Sequence, residues 1–233
     1  MSNSITKEKL FVLRYANAIN ESEISQFRGA LNKLLEDEPS LLFHNHTDEG
    51  FRYAYPLIQY KRINGKAALV CINKGTEAVA LLLGKTNIQC ELQTRSFALE
   101  LDGVKAHQHL IQTWDSTFVY YLRRWLPLNQ ENFASYQKIE GMVEKCQFLE
   151  RILTGNILSM GKGLGIHFEH AITTKILNID RTRIIPYKNV KMMSFDILFK
   201  SNVSLPDYIG LGKGASTGFG VLARKRENKE EIK

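Results

Sequence analysis

The first hundred residues alternate between stretches with extended spacing and stretches with helical spacing of their apolar positions. Residues 10–13 form an apolar run that is typical of a buried strand, and we predict this strand over residues 5–16. Asn20 stands three residues before Glu23, the spacing of a capping box at the start of a helix. The apolar residues of the helix that follows recur at helical intervals: Ile24, Phe27, Leu31, Leu34 and Leu35.

The next residues predict a hairpin, a second helix and a final strand. The pair Asn64-Gly65 separates two strand-like stretches, residues 51–62 and 67–73, and it favours a tight hairpin because both central residues must take a positive φ. Residues 75–83 are typical of a helix and residues 88–101 of a strand. The order strand, helix, strand, strand, helix, strand is that of the ferredoxin-like arrangement.

The second half of the chain predicts a similar succession of elements. A strand near residues 114–122 precedes a helical region over residues 131–160, which Gly155 and Asn156 could bend or interrupt. Gly161, Gly163 and Gly165 predict a glycine turn after this region. Four predicted strands follow, over residues 166–178, 181–188, 191–204 and 221–225. We therefore predict an α+β protein of two tandem ferredoxin-like (RRM-like) domains, residues 1–102 and 103–233, the second with a Gly-rich loop before its last strand.

The net charge is unevenly distributed between these halves. The chain of 233 residues has 31 Lys and Arg against 24 Asp and Glu, a formal charge of +7. Residues 1–102 contain 12 basic and 12 acidic residues, so residues 103–233 hold 19 basic against 12 acidic residues, the whole excess. This asymmetry indicates a polyanionic partner held mainly by the second half, and a solvated basic surface is the alternative.

Composition also bears on the compartment. No apolar run approaches the roughly 18 residues of a membrane span, and the first residues, MSNSITKEK, lack the apolar stretch of a secretion signal. Cys71, Cys90 and Cys146 are an odd number of widely spaced thiols, which argues against a disulfide framework or a thiolate zinc site. We expect them in the packed core of a cytoplasmic protein that has no membrane association.

A glycine-rich segment precedes the last predicted strand, with Gly210, Gly212, Gly214, Gly218 and Gly220. Its backbone N–H groups, together with Lys213, Ser216 and Thr217, could hold an anion. A Walker loop is excluded because glycine follows Lys213, and a dinucleotide fingerprint would need glycine at Ala215 or Thr217. Two interpretations remain, a loop that contacts an RNA backbone and a tight structural loop.

Two histidines could carry acid–base chemistry. His44 and His46 lie two residues apart, so both point to one face if the chain is extended there. Two imidazoles near neutrality can act as general base and general acid when RNA is cleaved by its own 2′-OH. The alternatives are a metal site with Asp48 and Glu49, or loop histidines that are satisfied by hydrogen bonds.

Two further places combine cations with features that suit nucleic acid. Tyr53 and Tyr60 stand near Lys61, and aromatic rings beside cations suit stacked bases and phosphates, although an amphipathic strand is the alternative. Lys162 follows Gly161 in the predicted glycine turn, where backbone and lysine could meet a phosphate. A glycine cap at the end of a helix is the other interpretation there.

Several segments together resemble a known family. The sequence GLGKGASTGFGVL near the C-terminal end resembles the glycine-rich signature of the CRISPR repeat-RNA processing endoribonucleases, the Cas-six family. Four more segments resemble its b subtype, in the same order along the chain: FRGA at 27–30, LFHNH at 42–46, YAYPLIQYK at 53–61 and GNILSMGKGLG at 155–165.

The resemblance implies an activity, a partner and roles for site residues. It implies two ferredoxin-like domains that bind CRISPR repeat RNA and cleave the precursor transcript without metal or cofactor, leaving a 5′-hydroxyl on the downstream product. His44 and His46 match the His-rich motif and become the candidate catalytic pair, since residues 1–43 contain no other histidine. The residues expected to bind RNA or support the transition state are Arg28, Tyr53, Lys61, Lys162, Gly210, Gly212, Lys213, Gly214, Ser216, Thr217, Gly218 and Gly220.

Other functions stay open on the sequence alone. A non-cleaving repeat-RNA binding subunit of a CRISPR effector complex is the main alternative, and the paired histidines favour the nuclease. A small-molecule phosphate enzyme that uses the glycine-rich segment is a third possibility, which the failed phosphate motifs disfavour. The protein could act as a homodimer or remain with its product in an effector complex.

Overall fold

The chain forms two compact, sheet-rich units that mix helices and strands. The computed structural model describes residues 7–34, 46–47, 50–51, 55–85 and 87–226. The first unit extends to Leu110 and also contains Gly214–Gly218, whereas the second comprises Ile111–Lys213 and continues from Phe219. Within the described ranges, no helix is long and apolar enough to cross a membrane.

A four-stranded antiparallel sheet organises the first unit. The elements, in chain order, are β1 (Glu8–Ala18), α1 (Ile24–Leu34), β2 (His46–Thr47), β3 (Gly50–Phe51), β4 (Ile58–Ile63), β5 (Lys66–Ile72), α2 (Lys74–Leu83), β6 (Gln89–Glu91), β7 (Ser96–Ala98) and β8 (Leu101–His109). The strands of the large sheet stand in the order β4-β5-β1-β8, and neighbours run antiparallel. Two smaller sheets pair β2 with β3 and β6 with β7.

Two local predictions for this unit are confirmed. The backbone N–H of Asn20 donates to Glu23 Oε2 over 2.7 Å, so the acidic side chain satisfies a free donor just before α1, as in a capping box. Asn64 and Gly65 have φ of +50° and +83° and join β4 to β5, as the Asn-Gly signal predicts.

Two predicted strands of this unit are wrong in extent. β4 begins at Ile58 and not at residue 51, because Phe51 belongs to β3 and pairs with His46 in a separate ladder. The single strand predicted over residues 88–101 is instead the hairpin of β6 and β7, and β8 completes the large sheet. β8 lacks the apolar pattern by which a strand is recognised, because it is an edge strand with mostly exposed side chains.

A second four-stranded antiparallel sheet organises the second unit. The elements are β9 (Thr113–Trp125), α3 (Gln130–Gln137), α4 (Met142–Leu164), β10 (Thr174–Tyr187), β11 (Val190–Val203) and β12 (Val221–Arg224). The sheet order is β10-β11-β9-β12. If the strands of each large sheet are numbered along the chain, both sheets have the same order: second, third, first, fourth.

The helical region of the second unit is interrupted at a different place from the one predicted. α3 ends at Gln137 and α4 begins at Met142, with Gly141 in extended conformation between them. Gly155 and Asn156 lie inside α4, and the Asn156 side chain is used there by a hydrogen bond from Trp125. The buried face of α4 consists of Leu149, Leu153, Ile157, Met160 and Gly161.

The predicted glycine turn after this region is also wrong. Gly161 and Gly163 lie within α4, and Gly165 alone of the three is left-handed, with φ of +77° at the end of the helix. Gly161 serves packing, because a Cβ at this position would clash with the ring of Phe168. Glycine here therefore allows close approach inside a helix, a role that sequence spacing does not distinguish from a turn.

Two predicted boundaries fall inside strands. The break predicted between residues 178 and 181 lies within β10, a single strand whose pairing with β11 shifts between Ile176 and Asn178 and again between Ile179 and Arg181. Such bulges break the alternation by which a strand is recognised. Residue 102, the predicted domain boundary, lies within β8.

Cys71 and Cys90 are buried, whereas Cys146 is half-buried.

Candidate functional site

The glycine-rich segment between β11 and β12 depends on left-handed backbone angles. Positive φ values of +79°, +74°, +79° and +57° occur at Gly212, Gly214, Gly218 and Gly220. Three of these positions, Gly212, Gly218 and Gly220, also lack room for a side chain. A Cβ at Gly212 would lie 2.7 Å from Asn156 Oδ1, and a Cβ at Gly220 would clash with the carbonyl oxygen of Leu211. Glycine is therefore required at Gly212 by its backbone angle and by the neighbouring Asn156 side chain, and at Gly220 by the backbone of the segment itself.

Residues 214–218, called the loop tip from here on, form a turn that belongs to the first unit. The N–H of Thr217 donates to Gly214 O over 2.9 Å, and Thr217 Oγ1 lies 3.3 Å from the same oxygen. Gly218 packs against α1, where a Cβ would lie only 2.5 Å from Ile24 Cδ1. The absence of a side chain at Gly218 thus lets the turn lie against the helix.

β4 supplies two hydrogen bonds to the loop tip. The N–H of Tyr60 donates to Ser216 O over 2.8 Å, and Lys61 Nζ donates to Ala215 O over 2.7 Å. Backbone acceptors that are removed from water need such donors. Lys61 and Ala215 are 154 residues apart in sequence, so no local pattern could predict this contact.

Lys61 is an unusual side chain in the interior of the first unit. Its relative exposure is 0%, and burial lowers its pKa to about 7 because an amine in a poorly solvated place resists protonation. Its Nζ points toward the loop tip, where it donates the hydrogen bond to Ala215 O. Direct support of a reacting phosphate, as predicted from sequence, would require the Nζ to become exposed.

α1 presents two polar side chains toward the same region. Arg28 and Asn32 are four residues apart and therefore share a helix face. Asn32 Oδ1 accepts from the buried Tyr60 hydroxyl over 2.8 Å, and Arg28 Nη1 lies 3.4 Å from Ser216 Oγ. Burial raises the pKa of Tyr60, so this hydroxyl is a neutral donor. Sequence reasoning missed Asn32, although its spacing from Arg28 was an available signal.

In the second unit, the residues that flank the loop tip contact aromatic rings. Lys213 Nζ lies 6.0 Å from the ring centroid of Tyr187, which meets the Phe219 ring edge-on at 5.2 Å. The guanidinium of Arg124 lies 4.3 Å from the centroid of the Phe219 ring. Lys213 is exposed, so its ammonium is accessible to an anion in solution.

Lys162 lies in the last turn of α4, next to the left-handed Gly165. The C-terminal end of a helix carries a partial negative charge, which favours a cation and disfavours a phosphate at the backbone. The glycine at the end of this helix acts as a cap, the second of the two sequence interpretations. A phosphate contact at this place would depend on the Lys162 side chain.

The candidate catalytic residues cannot be located in the same way. His44 and Tyr53 lie outside the described residues, as do Asp48 and Glu49. The backbone of His46 belongs to β2, whereas its side chain is outside the described part. Among the predicted site residues, the first unit brings together Arg28, Lys61, Gly214, Ser216, Thr217 and Gly218, and the second unit contains Lys162, Gly210, Gly212, Lys213 and Gly220.

The protein has two units of mixed α and β structure, and the large sheets of both units have the same strand order. Residues of the glycine-rich segment belong to both units. The family model of the Cas6b N-terminal domain matches residues 7–110, and that of the Cas6b C-terminal domain matches residues 112–225. The chain belongs to the Cas6b family.

Two solved structures agree with this assignment, and one further relative is similar to part of the chain. A crystal structure of Cas6b is 28% identical, with a TM-score of 0.86, over 94% of this chain and 100% of that chain. A crystal structure of the CRISPR RNA processing endoribonuclease Cas6b is 27% identical, with a TM-score of 0.72 and the same coverage. Uncharacterized protein MJ0978 of Methanocaldococcus jannaschii is 34% identical over 107 residues, which are 46% of this chain and 71% of that protein.

Proposed function

We propose that this protein is a metal-independent endoribonuclease that binds CRISPR repeat RNA and cleaves the precursor transcript into mature guide RNAs. The observation that carries the proposal is the match of both halves of the chain to Cas6b domains. The likeness to a crystal structure of a CRISPR RNA processing endoribonuclease supports it further. A protein that processes RNA also accounts for the basic excess of residues 103–233.

We also assign both units to the ferredoxin-like class. The strand order second, third, first, fourth agrees with that arrangement, as does the succession strand, helix, strand, strand, helix, strand in the first unit. In the second unit, the glycine-rich segment takes the place of the helix between the third and fourth strands. The first unit would carry the chemistry and the second much of the RNA binding.

The proposed reaction uses the 2′-OH of the RNA as its nucleophile. One of His44 and His46 takes the proton of the 2′-OH, whose oxygen attacks the adjacent phosphorus. The other histidine, or a Lys or Tyr nearby, protonates the 5′-oxygen as the P–O bond breaks. The products are a 2′,3′-cyclic phosphate on the upstream fragment and a 5′-hydroxyl on the downstream fragment, with no oxidation or reduction.

Two groups of side chains would bind the RNA backbone. Lys213 offers an exposed ammonium beside the Tyr187 ring, and an exposed ammonium attracts a phosphate. At the loop tip, Arg28 and the Ser216 hydroxyl lie side by side and provide donors of a kind that phosphate oxygens accept. Neither group needs to take part in proton transfer.

Incubation of the full chain with a labelled cognate repeat RNA in EDTA tests the proposal. Cutting at one position, with a 5′-hydroxyl on the downstream fragment, is the expected result. A shifted but uncut RNA would indicate the non-cleaving binding subunit, and an RNA that is neither bound nor cut would overturn the proposal. Cutting that requires added Mg²⁺ would overturn the metal-independent mechanism. Size-exclusion chromatography with and without the RNA would test homodimer formation.

A further inference from the structure

A buried lysine needs a physical reason. Lys61 pairs with Ala68 in the sheet and is completely removed from solvent, at a strand position where an apolar side chain would avoid the cost of burying an amine. Its Nζ uses this position to donate to Ala215 O in the loop tip. An apolar side chain of similar length could fill the space but could not satisfy this carbonyl.

The contact also sets the direction of a neighbouring donor. The peptide bonds of the described residues are trans, and in a trans peptide the C=O and N–H bonds point in opposite directions. Because Ala215 O points toward Lys61, the N–H of Ser216 points away from it. Arg28 Nη1 lies beside the same residue, 3.4 Å from Ser216 Oγ.

We propose that Lys61 is a positioning residue, whose hydrogen bond to Ala215 O holds the Ala215–Ser216 peptide so that the Ser216 N–H faces an RNA phosphate beside Arg28. The ligand at this subsite is a phosphodiester oxygen, bound by a neutral N–H, a hydroxyl and a guanidinium. The part of this inference that concerns RNA rests on the function proposed above, whereas the ordering of the loop tip by Lys61 does not.

Lys61→Met keeps the length of the side chain and removes its donor. Loss of one buried hydrogen bond should weaken binding of the labelled repeat RNA by about fivefold to tenfold. The dependence of affinity on salt should keep its wild-type slope, because Lys61 itself touches no phosphate. Arg28→Ala, in contrast, should reduce the slope by about 0.7, the value for one lost phosphate contact on a single strand.

A second measurement needs no RNA. Hydrogen exchange of the peptides that cover residues 210–220 should become about fivefold faster in Lys61→Met, because the loop tip loses an anchor. Ile58→Val is the matched control, since Ile58 is buried on the same strand and its truncation loosens β4 without removing the donor. The control should leave exchange in residues 210–220 close to that of the wild type.

The two measurements separate the possible failures. A shallower salt slope in Lys61→Met would mean that the ammonium contacts phosphate directly and would overturn the positioning role. Equal exchange at the loop tip in Lys61→Met and Ile58→Val would overturn it as well. If the wild type neither binds nor cuts repeat RNA, the proposed function fails, and the exchange comparison still decides whether Lys61 orders the loop tip.

Discussion

The indole Nε1 of Trp125 donates a hydrogen bond to Asn156 Oδ1 over 2.8 Å, and Gly212 lies against this pair. Trp125 is fully buried near the end of β9, and Asn156 is in the middle of α4. A Cβ on Gly212 would lie 2.7 Å from Oδ1 and 3.1 Å from Nε1. The first part of the glycine-rich segment is thus held close to a polar pair inside the second unit.

Gly212→Ala should destabilise the protein strongly. The new side chain would be forced into a left-handed backbone conformation and against the Trp125–Asn156 pair, at a cost of about 2–5 kcal/mol. Chemical denaturation of the purified variant measures the free energy of unfolding. Repeat-RNA binding should weaken in parallel, because the conformation of the segment changes.

Gly155→Ala is the matched control for this prediction. Gly155 lies inside α4, and among the described residues no heavy atom other than those of its chain neighbours and its own helix backbone lies within 4 Å of the site that a Cβ would occupy. Alanine in the interior of a helix should raise the free energy of unfolding by about 0.5–1 kcal/mol relative to glycine. Equal effects of the two substitutions would show that the conformation of Gly212 does not matter.

His44→Ala and His46→Ala should each reduce cleavage while leaving RNA affinity nearly unchanged. General acid–base catalysis contributes about 10²–10⁴-fold, so single-turnover cleavage should fall by roughly a hundredfold or more in each variant. Filter binding of the same labelled RNA supplies the affinity. Wild-type cleavage by the double variant would rule out this catalytic pair.

Lys213→Ala should weaken RNA binding in a salt-dependent manner. An exposed ammonium that neutralises one phosphate releases counterions, so the slope of log affinity against log salt should fall by about 0.7–0.9. The affinity lost by the variant should accordingly shrink as salt rises. Lys138→Ala, which removes an exposed lysine at the end of α3, is the control. An unchanged slope in Lys213→Ala would count against a phosphate contact.

The stability of the first unit should depend on pH through Lys61. Burial lowers the pKa of Lys61 to about 7, whereas the pKa of a lysine in the unfolded chain is about 10.4. Between these values the unfolded chain binds more protons, so stability rises with pH by up to about 1.4 kcal/mol per pH unit. Below the folded pKa both states are protonated, and the contribution is constant.

The difference in unfolding free energy between wild type and Lys61→Met isolates this effect from other titrating groups. From about pH 7.5 to pH 9 the wild type should gain stability relative to the variant, as measured by urea denaturation at each pH. A difference that stays constant over this range would mean that the amine keeps its charge when buried.

Local interactions are what the sequence could predict. The capping pair Asn20–Glu23 and the Asn64-Gly65 turn involve neighbours in the chain, so their geometry follows from residue type and spacing. The sequence segments that resemble Cas6b indicated the same family as the matches to the two Cas6b domain models. The edge strand β8 escaped prediction because its mostly exposed side chains form no apolar pattern.

Glycine roles show where local reasoning ends. Gly161 and Gly212 are both glycines beside a lysine in sequence, yet one lies inside a helix against Phe168 and the other turns left-handed against Asn156. The sequence determined that these positions lack side chains. Only the residues that the fold places beside each glycine determine whether its role is helix packing or a left-handed turn.

The candidate site divides in the same way. The sequence by itself determined which residue types are available for the chemistry, from the paired histidines to the lysines of the glycine-rich segment. Only the tertiary structure decided that Lys61 is buried and bonded to Ala215 O, 154 residues away. The physical reason is that burial and a hydrogen bond depend on which surfaces meet in space, and a pattern of neighbouring residues carries no record of such distant contacts.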